Sequence, residues 1–143
     1  MDIHLGSDHA GFELKQQLKN YLAEIGHHVI DHGCYTAERA DYPDHAHKVA
    51  AAVLADAGSL GILMCGSGNG INITANKHKG IRSALCWTPE VAALARQHND
   101  ANVLALPARF IDYNTALACV DAFLSAKFEG GRHSDRVKKI EIC

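Results

Sequence analysis

Short apolar runs alternate with amphipathic stretches along the whole of this chain. Residues 1–6 read as a strand, after which Leu14, Leu18, Tyr21, Leu22 and Ile25 recur at helical spacing until Gly26 stops them. His28–Asp31 reads as a second strand. A loop through Gly33 to Asp41 then leads to Pro43 at a helix start, and Ala46, Val49, Ala50, Val53 and Leu54 mark that helix's buried face. Leu60–Cys65 is the third strand, and residues 81–86 and 102–106 read as the fourth and fifth. A helix from Pro89 to about Gln97, carrying Val91, Leu94 and Ala95, separates these two, and a last helix covers residues 111–124 approximately. Such βαβα alternation specifies the α/β class: a five-stranded parallel sheet covered by helices on both faces, with ligands collecting at the carboxyl ends of the strands.

Length and composition narrow this picture. At 143 residues and 48% hydrophobic, the chain is one domain, 1–143, with enough apolar surface for a real core. A net charge of -2 gives no global reason to expect nucleic acid or an acidic membrane, so an anion site has to come from local clustering of basic groups. The five cysteines, Cys34, Cys65, Cys86, Cys119 and Cys143, are odd in number and widely spaced, and the opening MDIHLGSD has neither a basic segment nor a long apolar run. We expect a reduced, cytoplasmic chain without a membrane span.

The densest chemistry lies in LGILMCGSGNGINITAN, residues 60–76. Cys65 ends an apolar strand immediately before a glycine loop that opens a helix. Gly66, Gly68 and Gly70 permit backbone conformations closed to other residues, so successive N–H groups converge at a positive helix end. That point suits an anion, and a thiolate formed there would be stabilised by the same dipole. Known phosphate loops do not fit: a P-loop needs Lys and Ser or Thr where Ile71 and Asn72 stand, and a cysteine phosphatase needs Arg at position 71. A GxGxxG dinucleotide fingerprint would normally follow the first strand of its unit, not the third, which disfavours that reading without excluding it. The plainer alternative is a strand-to-helix turn over a structural cysteine.

Other titratable groups gather near the expected strand ends. The first strand leads into Ser7, Asp8 and His9, and the helix after the fourth strand ends in His98, Asn99 and Asp100; we expect both groups at the sheet edge of Cys65. Singly, each has a structural reading as a helix cap, as do Asp41 and Asp8. In EGGRHSDRVKKIE, Arg132 and Arg136 are four apart and share one helix face, spaced to clasp a phosphate, unless Asp135 and Glu141 simply neutralise them. Arg109 and His9 are further candidates for that anion. None of the ten histidines pairs with a carboxylate at metal-binding spacing; His28 and His32 span a strand exit, and His45 and His47 diverge on a helix.

Five motifs in order, GSDHAGFELK, DYPD at 41–44, CGSGNG with ANK at 75–77, RQHNDANVL at 96–104 and GGRHxxRV at 130–137, resemble the ribose-5-phosphate isomerase type B family, a group that includes allose-6-phosphate and galactose-6-phosphate isomerase subunits. The resemblance implies a Rossmann-like three-layer α/β/α sandwich and a homodimer, possibly paired into a tetramer, with sites at the subunit interface. It implies no metal or organic cofactor, and interconversion of an aldose phosphate with its ketose. Carried over, it makes Cys65 the base between C1 and C2, His98 the ring-opening acid, Asp8 its counterpart on the sugar hydroxyls, and Ser67 a proton shuttle in place of the commoner Thr. It gives the phosphate to His9, Arg132 and Arg136, with Arg109 from the partner subunit, and has the basic segment 130–143 complete that site. Tyr42, Asn76 and Asn99 line the sugar or anion hole beside Gly66, Gly68 and Gly70. Glu-type members carry their base where Ile71 stands, which points to the Cys type. Pro107, in place of the usual glycine, and Trp87 bear on substrate length, so six-carbon sugar phosphates are the alternative, with a non-catalytic sugar-phosphate-binding subunit as another.

Overall fold

The computed structural model describes residues 1–142; Cys143, last of the expected basic segment, lies outside the described residues. Strands β1 (Asp2–Ser7), β2 (His28–Asp31), β3 (Leu60–Cys65), β4 (Ser83–Leu85) and β5 (Val103–Pro107) pair in parallel in the order β2-β1-β3-β5-β4. Helices α1 (Phe12–Glu24), α2 (Tyr42–Ala55), α3 (Asn69–Ala75), α4 (Pro89–Asn99), α5 (Tyr113–Ser125) and α6 (Arg132–Lys138) complete the three-layer α/β/α sandwich expected from the alternation. No helix is long and apolar enough to cross a membrane.

Alternation along β3 divides the core into two. Ile62 and Met64 join Leu14, Leu18 and Leu22 of α1, Ala92 and Ala95 of α4, and Cys119, Val120 and Phe123 of α5. Leu63 and Cys65 face the other way, among Ala46, Val49, Ala50 and Val53 of α2 and Ile71 and Ala75 of α3. Cys65 thus ends its strand on the face where α3 begins. Chain order reverses between β1 and β3, which makes their carboxyl ends the switch-point crevice of an open parallel sheet.

Three positions expected in the buried stripes are largely exposed: Ile25, Leu54 and Leu94. Ile25 sits just past the last turn of α1, and the other two border their helices' apolar stripes. The opposite surprise is Lys15, wholly buried on α1, whose Nζ donates to both carboxylate oxygens of Asp31 at 2.8 and 2.7 Å. Asp31 Oδ1 also accepts the Gly33 N–H at 2.9 Å, so this pair ties α1 to the exit of β2. Burial works against the Asp31 carboxylate, yet the Lys15 and Gly33 hydrogen bonds outweigh it and hold its pKa below the ordinary 3.8.

Asp31→Asn leaves an unpaired buried ammonium and should cost about 3 to 5 kcal/mol in urea unfolding. Because the folded pKa is the lower one, the wild-type contribution is whole above pH 3.8 and disappears as pH falls through the folded value. The variant should lack that acid-sensitive component; an unchanged acid limb in the variant would show that the pair is not its source.

Candidate active site

The crevice collects one half of the expected residues. Asp8, buried at the end of β1, accepts the Gly11 N–H on Oδ1 at 3.1 Å and so orders the entry to α1, leaving its second oxygen for other partners. His9 Nδ1 lies 3.2 Å from both the N–H and the carbonyl oxygen of Ala40, which ties the ring to that loop through Nδ1. Beside them, Gly68 starts α3 at φ 78, a left-handed value favouring glycine, and Ser67 Oγ accepts the Asn69 N–H at 3.2 Å. Tyr42, at the start of α2, lies so close that a Cβ on Gly70 would fall 2.5 Å from its ring. Asp41, in turn, occupies the N-cap position of α2 without a side-chain capping bond.

Arg109 belongs to this half as well. Its N–H donates to the Gly66 carbonyl at 2.9 Å, and a Cβ on Gly66 would sit 3.3 Å from its Cδ and from a guanidinium nitrogen. The neighbouring Ala108 N–H bonds the Cys65 carbonyl, also at 2.9 Å, so β5 and the thiol loop are clamped together. Arg109 thus lies over the loop of its own chain, because β5 pairs with β3 and ends opposite Cys65.

His98 and Asn99 are not there. A helix that follows a parallel strand starts at the carboxyl edge and must run back to the amino edge before the next strand can begin. With 11 residues, α4 covers about 16 Å in that direction. Its last residue, Asn99, lies next to the start of β5, where the Asn102 carbonyl accepts the Gly61 N–H. Cys65 is at the far end of β3. The expectation of one shared edge fails within the chain because periodicity reveals a helix but not which of its ends meets the site.

The same end holds α6. His133, buried on α6, stacks on His98 with ring centroids 4.2 Å apart and planes 11° from parallel. The Glu129 N–H donates to the Gln97 carbonyl, and Glu129 Oε1 lies 3.7 Å from His98 Nε2 and 3.6 Å from His133 Nε2. Spacing alone paired neither Glu129 nor His133 with His98; the GGRH motif contained one of them without exposing the contact. Arg132 and Arg136 are exposed on this short helix, and no carboxylate among the described residues pairs with them or with Arg109. Glu141, expected as a counterion, accepts the Gly80 N–H instead.

Asn76 is likewise removed from the thiol loop. At the end of α3, its amide accepts the Ser83 N–H and donates to the Ser83 carbonyl, at 2.8 and 2.9 Å, clamping the start of β4. It lines a cavity of about 540 Å³ with Asn99, Arg82 and residues 140–142 at the amino edge. Of the thiols away from the loop, Cys86 is pushed up to about 12 by burial and the nearby Cys119, and Cys119 to about 11 by burial and Glu90, which keeps both protonated.

A parallel α/β/α domain with a thiol and a glycine loop at its switch point defines a class that comparison narrows. The model of the Ribose/Galactose Isomerase family matches residues 3–140, and the chain belongs to that family. It is 49% identical over 138 residues to ribose-5-phosphate isomerase B of Escherichia coli K12, covering 96% of this chain and 93% of that protein. Ribose-5-phosphate isomerase B of Clostridium thermocellum superposes with a TM-score of 0.96 at 48% identity, covering 98% and 95% of the two chains. The Mycoplasma genitalium enzyme, solved with bound ribulose 5-phosphate, gives 0.93 at 45%, covering 97% and 93%.

The close seat of Tyr42 on Gly70 yields a direct test. Gly70→Ala should cost about 1 to 2 kcal/mol through overpacking against the ring, and clearly less in a Tyr42→Ala background, since every nearest atom belongs to Tyr42. Equal costs in both backgrounds, read from urea unfolding, would show that the ring is not the obstacle.

Proposed function

We propose that this chain interconverts D-ribose 5-phosphate and D-ribulose 5-phosphate through an enediolate, with Cys65 as the base, in a homodimer whose sites each draw on both chains. The observation that carries the reading is the placement of Cys65 at the mouth of the Gly66–Gly70 loop with Arg109 beside it. Support comes from the family and from the ribulose 5-phosphate bound to the Mycoplasma relative.

Chemistry divides between the two halves. His98 of a second copy protonates the ring oxygen of the cyclic aldose as its bond to C1 breaks, and the C1 hydroxyl gives its proton to Asp8. Cys65 thiolate then removes the proton from C2. The electron pair moves into a C1–C2 double bond, and negative charge develops on O1, where the loop N–H groups stabilise it more than they do the neutral carbonyl. Ser67 passes a proton between O2 and O1, and Cys65 returns its proton to C1, leaving the ketone at C2. Ile71, buried in the core, supplies no proton acceptor and leaves this work to the thiol.

The phosphate sits between His9, Arg109 and the second copy's Arg132 and Arg136, whose forks suit a dianion. Tyr42 walls the sugar, and Asn99 reaches it with His98. Segment 130–143 thus serves the neighbouring chain's site. Cys34, Cys65, Cys86 and Cys119 are all free thiols, which suits work in the reducing cytoplasm.

Mixing two inactive variants tests the composite site. In a symmetric dimer of Cys65→Ala with His98→Ala, one site loses both groups and the other keeps both. A statistical mixture should therefore recover about a quarter of wild-type turnover on cyclic ribose 5-phosphate, because about half the dimers are mixed and each has one of two sites intact. No recovery after verified subunit exchange would place Cys65 and His98 in a single chain's site and defeat the reading.

A further inference from the structure

The trio His98, Glu129 and His133 has a geometry that its separate residues do not explain. Its three ligand atoms lie within 4.8 Å of one another, which suggests a metal, but the nearly parallel stack sends the two ring lone pairs side by side instead of toward one ion. The same stack suits the control of a single proton. Two imidazolium rings 4.2 Å apart would repel, whereas one cation beside one neutral ring, both facing one carboxylate, is stable.

The inventory of neighbours fixes which ring stays neutral. Burial of His133, then the charges of His98 and Arg132, hold its pKa below 6.5; Arg136 adds to this and Glu129 opposes it. His98 is the more exposed of the two, at 38% against 9% of side-chain surface, and its ring makes no hydrogen bond among the described residues. At 3.7 Å the Glu129 contact is an ion-pair distance, longer than a hydrogen bond, so it acts on His98 through charge. The Glu129 backbone is itself bonded to Gln97, the residue preceding His98.

We infer that Glu129 and His133 are positioning residues for His98: the buried ring fixes the plane of the exposed one, and the carboxylate keeps a proton on His98 Nε2, so that Nδ1 is the nitrogen presented to the sugar. This rests on the reading of His98 as the ring-opening acid. It assigns each imidazole nitrogen a different duty, the tautomer being set by the partner of the nitrogen that does not react.

Glu129→Gln, a surface change that keeps the side chain's shape, and His133→Phe, which keeps a stacked ring, separate positioning from mere structure. Both should lower turnover of cyclic ribose 5-phosphate by roughly three- to fivefold, the upper end of the scale of an exposed charge contact, while solvent deuterium enters open-chain ribulose 5-phosphate within about twofold of the wild-type rate. In Glu129→Gln, nitrogen-15 shifts of His98 should move from a protonated Nε2 toward a mixture of tautomers. His133→Ala, which removes the stack, should be worse than His133→Phe. If turnover and exchange fall together, or neither changes, or the His98 shifts do not move, the inference is overturned. If His98→Asn itself spares turnover of the cyclic sugar, the ring-opening reading fails, and the inference fails with it; a normal defect in His98→Asn beside a silent Glu129→Gln sinks the inference alone.

Discussion

A helix joining two parallel strands has to travel from one edge of the sheet to the other, and this geometric constraint decides where every reactive group in the molecule sits. Residues that follow a strand, Asp8 and His9 after β1, Cys65 and its loop after β3, Arg109 after β5, collect at the carboxyl edge. Residues that end a helix, Asn76 on α3 and Asn99 on α4, collect at the other. Adding α6 beside α4 strengthens that second group with Arg132 and Arg136. Cys65 and His98 are thereby set at opposite edges of the sheet, about 13 Å apart along the four steps of β3 from Gly61 to Cys65. In the homodimer proposed above, a second copy would bring them together twice under a two-fold axis.

At the carboxyl edge, catalytic candidates also hold the fold together. Asp8 orders the start of α1 with one oxygen, Ser67 bonds the first turn of α3, and the Cys65 carbonyl anchors the segment that carries Arg109. Such residues are locked by their structural duty, which preorganises the N–H groups and charges that an enediolate needs. The buried Lys15–Asp31 pair extends this support to the exit of β2, and the Gly33 N–H shares its carboxylate.

Much of this was legible in the letters, and the misses have distinct causes. β3 matches its expected span because it is an apolar run bounded by polar turns, and β2 because Val29 and Ile30 stand between the turn glycines Gly26 and Gly33. β4 is shorter than its apolar run: the Asn76 amide takes both backbone groups of Ser83, and the Arg82 N–H goes to the Asn102 side chain. The glycine loop announced Cys65, Gly68 and their neighbours because such motifs are local. His98 was recognised as chemistry and put at the wrong edge, since helical periodicity has no information on direction relative to a sheet. Glu129 and His133 escaped altogether, as their contact with His98 joins α4 to a segment beyond α5 and exists only in three dimensions. The burial of Lys15 is hidden from the sequence for the same reason: its partner Asp31 belongs to another element.

The central claim is that Cys65 moves the proton between C1 and C2. Its most direct measure is the incorporation of solvent deuterium at C1 of ribulose 5-phosphate, which needs neither ring opening nor net conversion. Cys65→Ala should remain folded and bind the sugar phosphate, yet label carbon at least about a hundredfold more slowly than the wild type, the lower end of what a general base contributes. Labelling at the wild-type rate by a folded Cys65→Ala protein would contradict the account.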